Sequence, residues 1–260
     1  MVRALAHHPL CTRRVSANPM PRETYYFRTG CFLCLAGRHY VVLDLLRDRY
    51  LRFDRAPFDA LAHSITAAGL ATCRAPVASN QATRESQTLL ATLLDHGLLT
   101  GEPRDSNPCP FPQVARPNDT IFCEQHRPGI LGSLRYLPSF MRALRSTCAS
   151  LDTHSISDTV LRVAERKRSL RRPEESMDMN RLQQLMDAFC RLRPFGSRQY
   201  VCLFDSLALI EFLAIHRVFP TWVFGVQPEP FAAHCWVQEA DVVINDTVDR
   251  VSEYVPILSI

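Results

Sequence analysis

The chain lacks an uninterrupted apolar run long enough to cross a bilayer. Its most apolar stretch, 200–216, is broken by Asp205 and Glu211. No apolar core segment follows the basic residues of MVRALAHHPLCTRRVSANPMP, so residues 1–21 read as a flexible tail and not as a signal peptide. Excess charge is scarce as well. A net +4 over 260 residues is too mild to argue for nucleic acid. No internal repeat is present. Ten cysteines are scattered through the chain without the tight, regular spacing of a small secreted disulfide scaffold. These absences predict a cytoplasmic protein with free thiols, no membrane anchor and no nucleic-acid partner.

One CxxC pair, Cys31 and Cys34, has neither a second CxxC nor a nearby histidine to complete a zinc set. CFLCLAG reads as a strand, on which side chains three apart face opposite sides. Two buried strand cysteines are expected there, and neither a metal nor a cofactor is called for.

What the chain has is globular composition, 47% hydrophobic and 22% charged, with length for one large domain or two small ones. YYFRTGCFLCLAG, RHYVVLDLL and DRYLRFD predict three short strands over 25–53. PFDALAHSITAAG predicts a helix ended by Gly69, and the leucines at 89, 90, 93 and 94 one face of a second helix stopped at Gly97. Three strands followed by helices suit a small winged-helix-like domain over 22–102. Five prolines in PRDSNPCPFPQVARP make 103–117 a linker or extended crossing. The rest, 118–260, opens with helices. Pro138 should break the first, and Ser155 with Asp158 should cap the next, whose tail RKRSLRR reads as a solvated basic face. Strand-like runs follow Pro220. The fold class is α+β.

The richest stretch is YVCLFDSLALIEFLAIHRVFP. A helix apolar nearly all round should be buried, and Cys202 falls at its head. Unpaired N–H groups and the helix dipole favour an anion there, which lowers a thiol pKa, and the same N–H groups can receive an oxyanion. Cysteine often merely packs, so the thiol alone decides nothing. In AAHCWVQEADVVINDTVD, alternation sends His234 and Trp236 to one strand face and Cys235 to the other. A tight turn at EAD would return a strand carrying Asp246 beside His234. A carboxylate holding an imidazole, whose other nitrogen meets a thiol, is the arrangement of a nucleophilic hydrolase. Asp249 is a rival for the carboxylate, because the turn register is open.

CLFDSLAL, PTWVFGV, PFAAHCWVQ and VVIND, preceded by FCRLRPFG, resemble the B proteins of lasso peptide clusters, which are transglutaminase-like cysteine peptidases. The separations between the three residues match that family. The resemblance implies a papain/transglutaminase-like peptidase domain with Cys202 as nucleophile, His234 as general base and acid, and Asp246 as its orienter. Gln199 would be an added oxyanion donor by analogy. One departure is Val218 in HRVFP, where the family has glycine, which puts the usual glycine helix cap in doubt. His216 would sit at the helix C-terminus, where it suits the dipole.

HYVVLDLLRDRYLRFD with the following helices and LLDHGLL resembles the RiPP recognition element, a winged-helix module that binds leader peptides. The resemblance implies a fused leader-binding domain, with the leader along Tyr50, Leu51, Arg52 and Phe53 against Leu90 and Leu94. An open sheet edge suits an added strand. Helix 85–96, with Glu85 and Asp95 and no Lys or Arg, suits DNA poorly. The implied partners are a lasso precursor leader and an asparagine-synthetase-like cyclase. A catalytically inactive leader chaperone and a transglutaminase-like acyltransferase are the alternatives.

Overall fold

The computed structural model describes residues 24–61, 65–66, 80–121, 130–171, 177–196 and 201–260. The expected tail, 1–21, lies outside them, as does Gln199. The chain divides into two compact units. The first is 1–113 together with 226–232, and the second is 114–225 with 233–260.

The first unit opens with β1 (Tyr25–Phe27), β2 (Cys31–Ala36), β3 (His39–Asp44) and β4 (Arg49–Asp54). The first predicted strand is thus two. Gly30, at φ +83°, turns the chain between them, a conformation open to glycine without a Cβ clash. β2, β3 and β4 form an antiparallel meander, with Val42 opposite Leu33 and Leu51. α1 (Arg55–Leu61) follows, then β5 (Ile65–Thr66). The predicted helix running on to Gly69 is corrected here. Ile65–Thr66 pairs in parallel with Tyr25–Tyr26, a long-range ladder that overrides the local helical pattern.

α2 (Asn80–Asp95) ends as expected at Gly97, which has φ +66°. The Gly97 N–H bonds Leu94 O and the Leu98 N–H bonds Leu93 O, the Schellman pattern. β6 (Leu99–Thr100) then joins the other side of β1. Phe58 is the centre of this core. Its ring stacks on Tyr40 at 4.3 Å, and the buried tyrosine still has a partner for its hydroxyl in Asp59, at 2.8 Å. Cys31 and Cys34 are both buried, and burial pushes both thiols up to about 12. The proline-rich segment is no free linker at its start. Asn107 donates to Cys31 O, the Leu33 N–H bonds Pro110 O, and Phe111 packs on the core.

The second unit carries β7 (Asp119–Thr120) and four consecutive helices, α3 (Ile130–Leu134), α4 (Leu137–Thr153), α5 (Ile156–Leu170) and α6 (Met179–Leu192). The predicted break at Pro138 is real: Pro138 stands in the first turn of α4. Ser155 caps α5 by accepting from the Asp158 N–H, and it donates to that carboxylate. The basic tail of α5 is less solvated than its sequence suggests. Arg166 makes two 2.8 Å bonds to Glu211, and Arg171 pairs with Glu239. Lys167, the chain's single lysine, donates to Pro220 O, Thr221 Oγ1 and Ile260 O, and burial lowers its pKa to about 8. These charges tie α5 to its own domain.

α7 (Cys202–Ile215) is the buried helix that its composition demands. α4 lies along it, and Phe189 of α6 meets Phe212 at 5.6 Å. Its two acids are each neutralised by an arginine, Glu211 by Arg166 and Asp205 by Arg193. Without those partners, carboxylates on this helix would cost several kcal/mol, on the order of a buried unpaired charge. The helix closes without glycine. Arg217 takes the left-handed position at φ +63°, with the Val218 N–H on Leu213 O. His216 lies at that end, where burial and then Arg181 lower its pKa.

β8 (Thr221–Pro228), β9 (Phe231–Glu239), β10 (Val242–Val243), the short α8 (Val248–Val251) and β11 (Val255–Ser259) complete the chain. The sheet order is β11-β8-β9-β10-β7. One expectation fails in this unit. Cys190 is disulfide-bonded, whereas all thiols were expected to be free. The sequence shows spacing, while a disulfide depends on two Cβ atoms being brought close in space. Among the described residues, Cys31, Cys34, Cys109, Cys148, Cys202 and Cys235 are free. No described helix is long and apolar enough to cross a membrane.

Candidate active site

Cys202 is the first residue of α7. Val201, in an extended conformation before it, offers no side-chain cap. The first intrahelical bond at this end runs from the Asp205 N–H to Val201 O. The N–H groups of the residues before Asp205 therefore have no carbonyl one turn back, as at every helix head.

β9 brings His234 to this end of the helix. His234 is 6% exposed, and the Cys202 thiol is near enough to raise its pKa. Its Nε2 meets Asp246 Oδ2 at 2.6 Å, which leaves Nδ1 as the nitrogen for the thiol. Asp246 is not on a strand, as the sequence pattern suggested. β10 stops at Val243, and the pairing is carried on by the Ile244 N–H on Val237 O and by the Val237 N–H on Asn245 Oδ1. Those two bonds fix the turn that presents Asp246. The second carboxylate oxygen accepts from the Thr247 N–H at 2.8 Å. Asp249, the rival, is exposed in the first turn of α8. The structure thus brings Cys202, His234 and Asp246 together and leaves Asp249 outside.

The electrostatics follow from these contacts. The Cys202 thiol is held down at about 4, by the hydrogen bond from the Cys235 side chain and then by the hydrogen bond and charge of His234, against burial. For His234 burial is the largest single influence and pushes it down. The hydrogen bonds and charges of Asp246 and Cys202 together outweigh burial and raise it to about 9. His234 and the Thr247 N–H likewise overcome burial at Asp246 and keep it ionised. At neutral pH the resting site is a thiolate–imidazolium pair oriented by a carboxylate.

Two partners of the nucleophile were missed by sequence reasoning. Strand alternation places Cys235 away from the His234 face, yet its thiol and backbone both lower the Cys202 pKa. Ser206, one turn along α7, donates to Cys202 O at 2.7 Å and accepts from Trp222 Nε1 at 2.9 Å. The one available signal was that a serine one turn after a helix-head cysteine shares its face.

His234 is flanked by Trp236 at 6.1 Å and Tyr254 at 5.0 Å. Gly225 makes room for that group. A Cβ there would lie 2.8 Å from Trp236 and 2.9 Å from Tyr254. Gly225→Ala is expected to destabilise the fold by about 1–3 kcal/mol through overpacking. It should also lower activity by pushing Trp236 against His234. Thermal melting beside a kinetic assay checks both.

A cavity of about 430 Å³ lies beside Asp246, walled by Ile121, Met186, Phe189 and Ile244, with the Arg193–Asp205 pair on one side. That is large enough to take a side chain or short peptide segment. Asp205 is raised, by burial first, with Arg193 opposing. The arginine also offsets a negative charge three residues from Cys202.

The residues expected to hold a leader lie in the first unit. Leu51 is buried, Tyr50 tilts against Phe231 at 5.5 Å, and Phe53 packs near Phe58 at 6.1 Å. Leu90 and Leu94 are half-buried against the same core. Arg52 pairs with Glu229 at 3.2 Å.

Residues 142–259 match the model of the transglutaminase-like superfamily. That superfamily includes cysteine peptidases and acyltransferases. No curated protein and no solved structure matches the chain.

Proposed function

We propose that this chain is the leader peptidase of a lasso peptide pathway, with a leader-binding domain fused to a cysteine peptidase. The observation that carries the reading is the Cys202–His234–Asp246 arrangement at the head of a buried helix, inside a transglutaminase-like domain. The Cys202 thiolate attacks the carbonyl at the leader–core junction. N–H groups at the head of α7 receive the oxyanion. His234, already protonated, gives its proton from Nδ1 to the departing core amine, and a thioester to the leader remains. His234 then takes a proton from water, which attacks the thioester and releases the leader. Asp246 holds the ring through Nε2 in both steps. The cavity beside Asp246 suits a substrate side chain near the cleaved bond.

Leader capture belongs, in this reading, to a winged-helix-like recognition element in the first unit. Its support is the meander β2-β3-β4 followed by α1 and α2, with β4 at the sheet edge and no further strand paired to it among the described residues. A leader adding a strand there would meet Tyr50 to Phe53. An acidic leader residue would have to displace Glu229 from Arg52. The freed core amine would pass to an asparagine-synthetase-like cyclase, and the work would be done in the cytoplasm, where the precursor is made.

The superfamily match equally admits acyl transfer, and only the acceptor separates the two. Mass spectrometry of a precursor peptide from a neighbouring gene decides, using wild type and Cys202→Ala. Leader and core released by the wild type, and leader bound but uncut by the variant, is the expected result. A product cross-linked to an amine would make the protein an acyltransferase. Binding without cleavage by either protein, cyclase included, would make it a chaperone.

A further inference from the structure

Beneath the nucleophile lies a second thiol that the proposed reaction does not use. Cys235 is 4% exposed and free. Its Sγ is 3.4 Å from Ser206 Oγ, whose hydroxyl also donates to Cys202 O at 2.7 Å. Ser206 is itself pinned, by Trp222 Nε1 and Cys202 O, so the cradle of the second thiol is rigid. Two cysteines with free thiols, one on α7 and one on β9, thus contact the same serine at the reacting end of the helix. The outer one is half-buried and the inner one is shielded.

We propose that Cys202 and Cys235 are a peroxide-responsive pair, in which oxidation of the nucleophile is captured by Cys235 as an intramolecular disulfide that thiol reductants reverse. The Cys202 thiolate attacks one oxygen of a hydroperoxide. An S–O bond forms, the O–O bond breaks, and the departing oxygen leaves with a proton, so that sulfur is oxidised and peroxide reduced. Cys235 sulfur then attacks Cys202 sulfur. The S–O bond breaks and the oxygen leaves as water, carrying the thiol proton. With hydrogen peroxide, two thiols and one peroxide become one disulfide and two waters. A thiol reductant returns both cysteines and is itself oxidised to its disulfide.

Geometry and reactivity assign distinct roles to the two thiols. Cys202 is the half-buried, more accessible thiolate, the form that peroxide attacks. Cys235 has no such access and remains reduced until Cys202 turns over. Burial holds its thiol well above the ordinary range, with the hydrogen bond and charge of the Cys202 thiolate adding to that. Oxidising Cys202 removes the thiolate and both of those influences, so the second thiol becomes a better nucleophile when it is needed. To form the disulfide the two sulfurs must close to about 2.05 Å. The pair protects the site, because a sulfenic acid without a neighbouring thiol goes on to sulfinic acid, which ordinary reductants do not reverse.

The test uses full-length protein and hydrogen peroxide, followed by iodoacetamide and a non-reducing peptide map. The expected wild-type result is a linked pair of peptides holding Cys202 and Cys235, short of two hydrogens. Labelling of Cys202 should be lost and should return with dithiothreitol. Cys235→Ala, with Cys235→Ser as the variant closer in size, should gain two oxygens at Cys202 and stay unlabelled after reduction. Wild type that accumulates oxygen on Cys202 without a linked pair overturns the proposal, and so does a variant that recovers as fully as wild type. The linked peptide is read on the native chain, so a misfolded variant leaves the test intact. Labelling requires no substrate, so failure of leader cleavage would leave these measurements standing.

Discussion

Asp246→Asn is expected to cut the rate of the chemical step on the order of 10²- to 10⁴-fold, with leader affinity unchanged. An amide is a natural partner for an imidazole in some cysteine peptidases, so a milder loss could be expected. The local bonding argues otherwise. Both carboxylate oxygens accept: Oδ2 from His234 Nε2 and Oδ1 from the Thr247 N–H. An amide has one acceptor and must turn its NH₂ towards one of those donors. If the NH₂ meets His234, the proton is forced onto Nδ1 and the ring can no longer accept from the thiol. If it meets Thr247, the turn that presents residue 246 is strained. The pH profile adds a signature. Productive enzyme requires the ion pair, so activity should rise as pH passes the Cys202 value of about 4 and fall as it passes the His234 value of about 9. Removing the Asp246 charge takes away part of what opposes burial at His234 and leaves only Cys202 to hold it up, so the alkaline limb should move to lower pH. Asp249→Asn, on the exposed turn of α8, should leave both rate and profile close to wild type. A profile that shifts with Asp249 and not with Asp246 would reverse the assignment.

The sequence made the helix-head cysteine visible because its cause is local. An apolar run without a polar face must be buried, and its first residue meets unpaired N–H groups whatever surrounds it. The same is true of the stop at Gly97, the break at Pro138 and the cap at Ser155, each set by a few neighbouring residues. Features that depend on distant partners were not legible. Ile65–Thr66 is a strand only because Tyr25 and Tyr26 lie beside it. Asp246 reaches His234 through Asn245, whose side chain stands in for a backbone acceptor after the short strand has ended. The Cys190 disulfide and the contact between Cys235 and Cys202 are tertiary in the same sense. Alternation tells which face of β9 a residue leaves by, and says nothing of a helix end that is met from both.

At pH 6, iodoacetamide is expected to label Cys202 while Cys31 and Cys34 stay unlabelled, and His234→Ala is expected to remove most of that selectivity. With a thiol held near 4, nearly every Cys202 is thiolate at that pH, whereas thiols near 12 are ionised at a fraction on the order of 10⁻⁶. A low-pKa thiolate is a weaker nucleophile, by a Brønsted slope of about 0.4–0.5 over that range, which returns roughly three to four decades. The net advantage is about 10²- to 10³-fold before steric shielding, and burial of the strand cysteines enlarges it. Two partners hold the Cys202 thiolate, and they differ in kind. Cys235 offers a thiol proton, a weak donor, while His234 offers a full positive charge and a charge-assisted bond. Removing the imidazole should therefore raise the midpoint of the labelling curve more than Cys235→Ala does, and slow labelling at pH 6 by more than about tenfold. If His234→Ala labels as fast as wild type, the thiolate is held by the helix head and Cys235 without the imidazolium. His234 would then rest neutral, and proton donation to the leaving amine would need another acid. If the variant slows as expected, the proton that makes the thiolate reactive is the one His234 delivers when the peptide bond breaks.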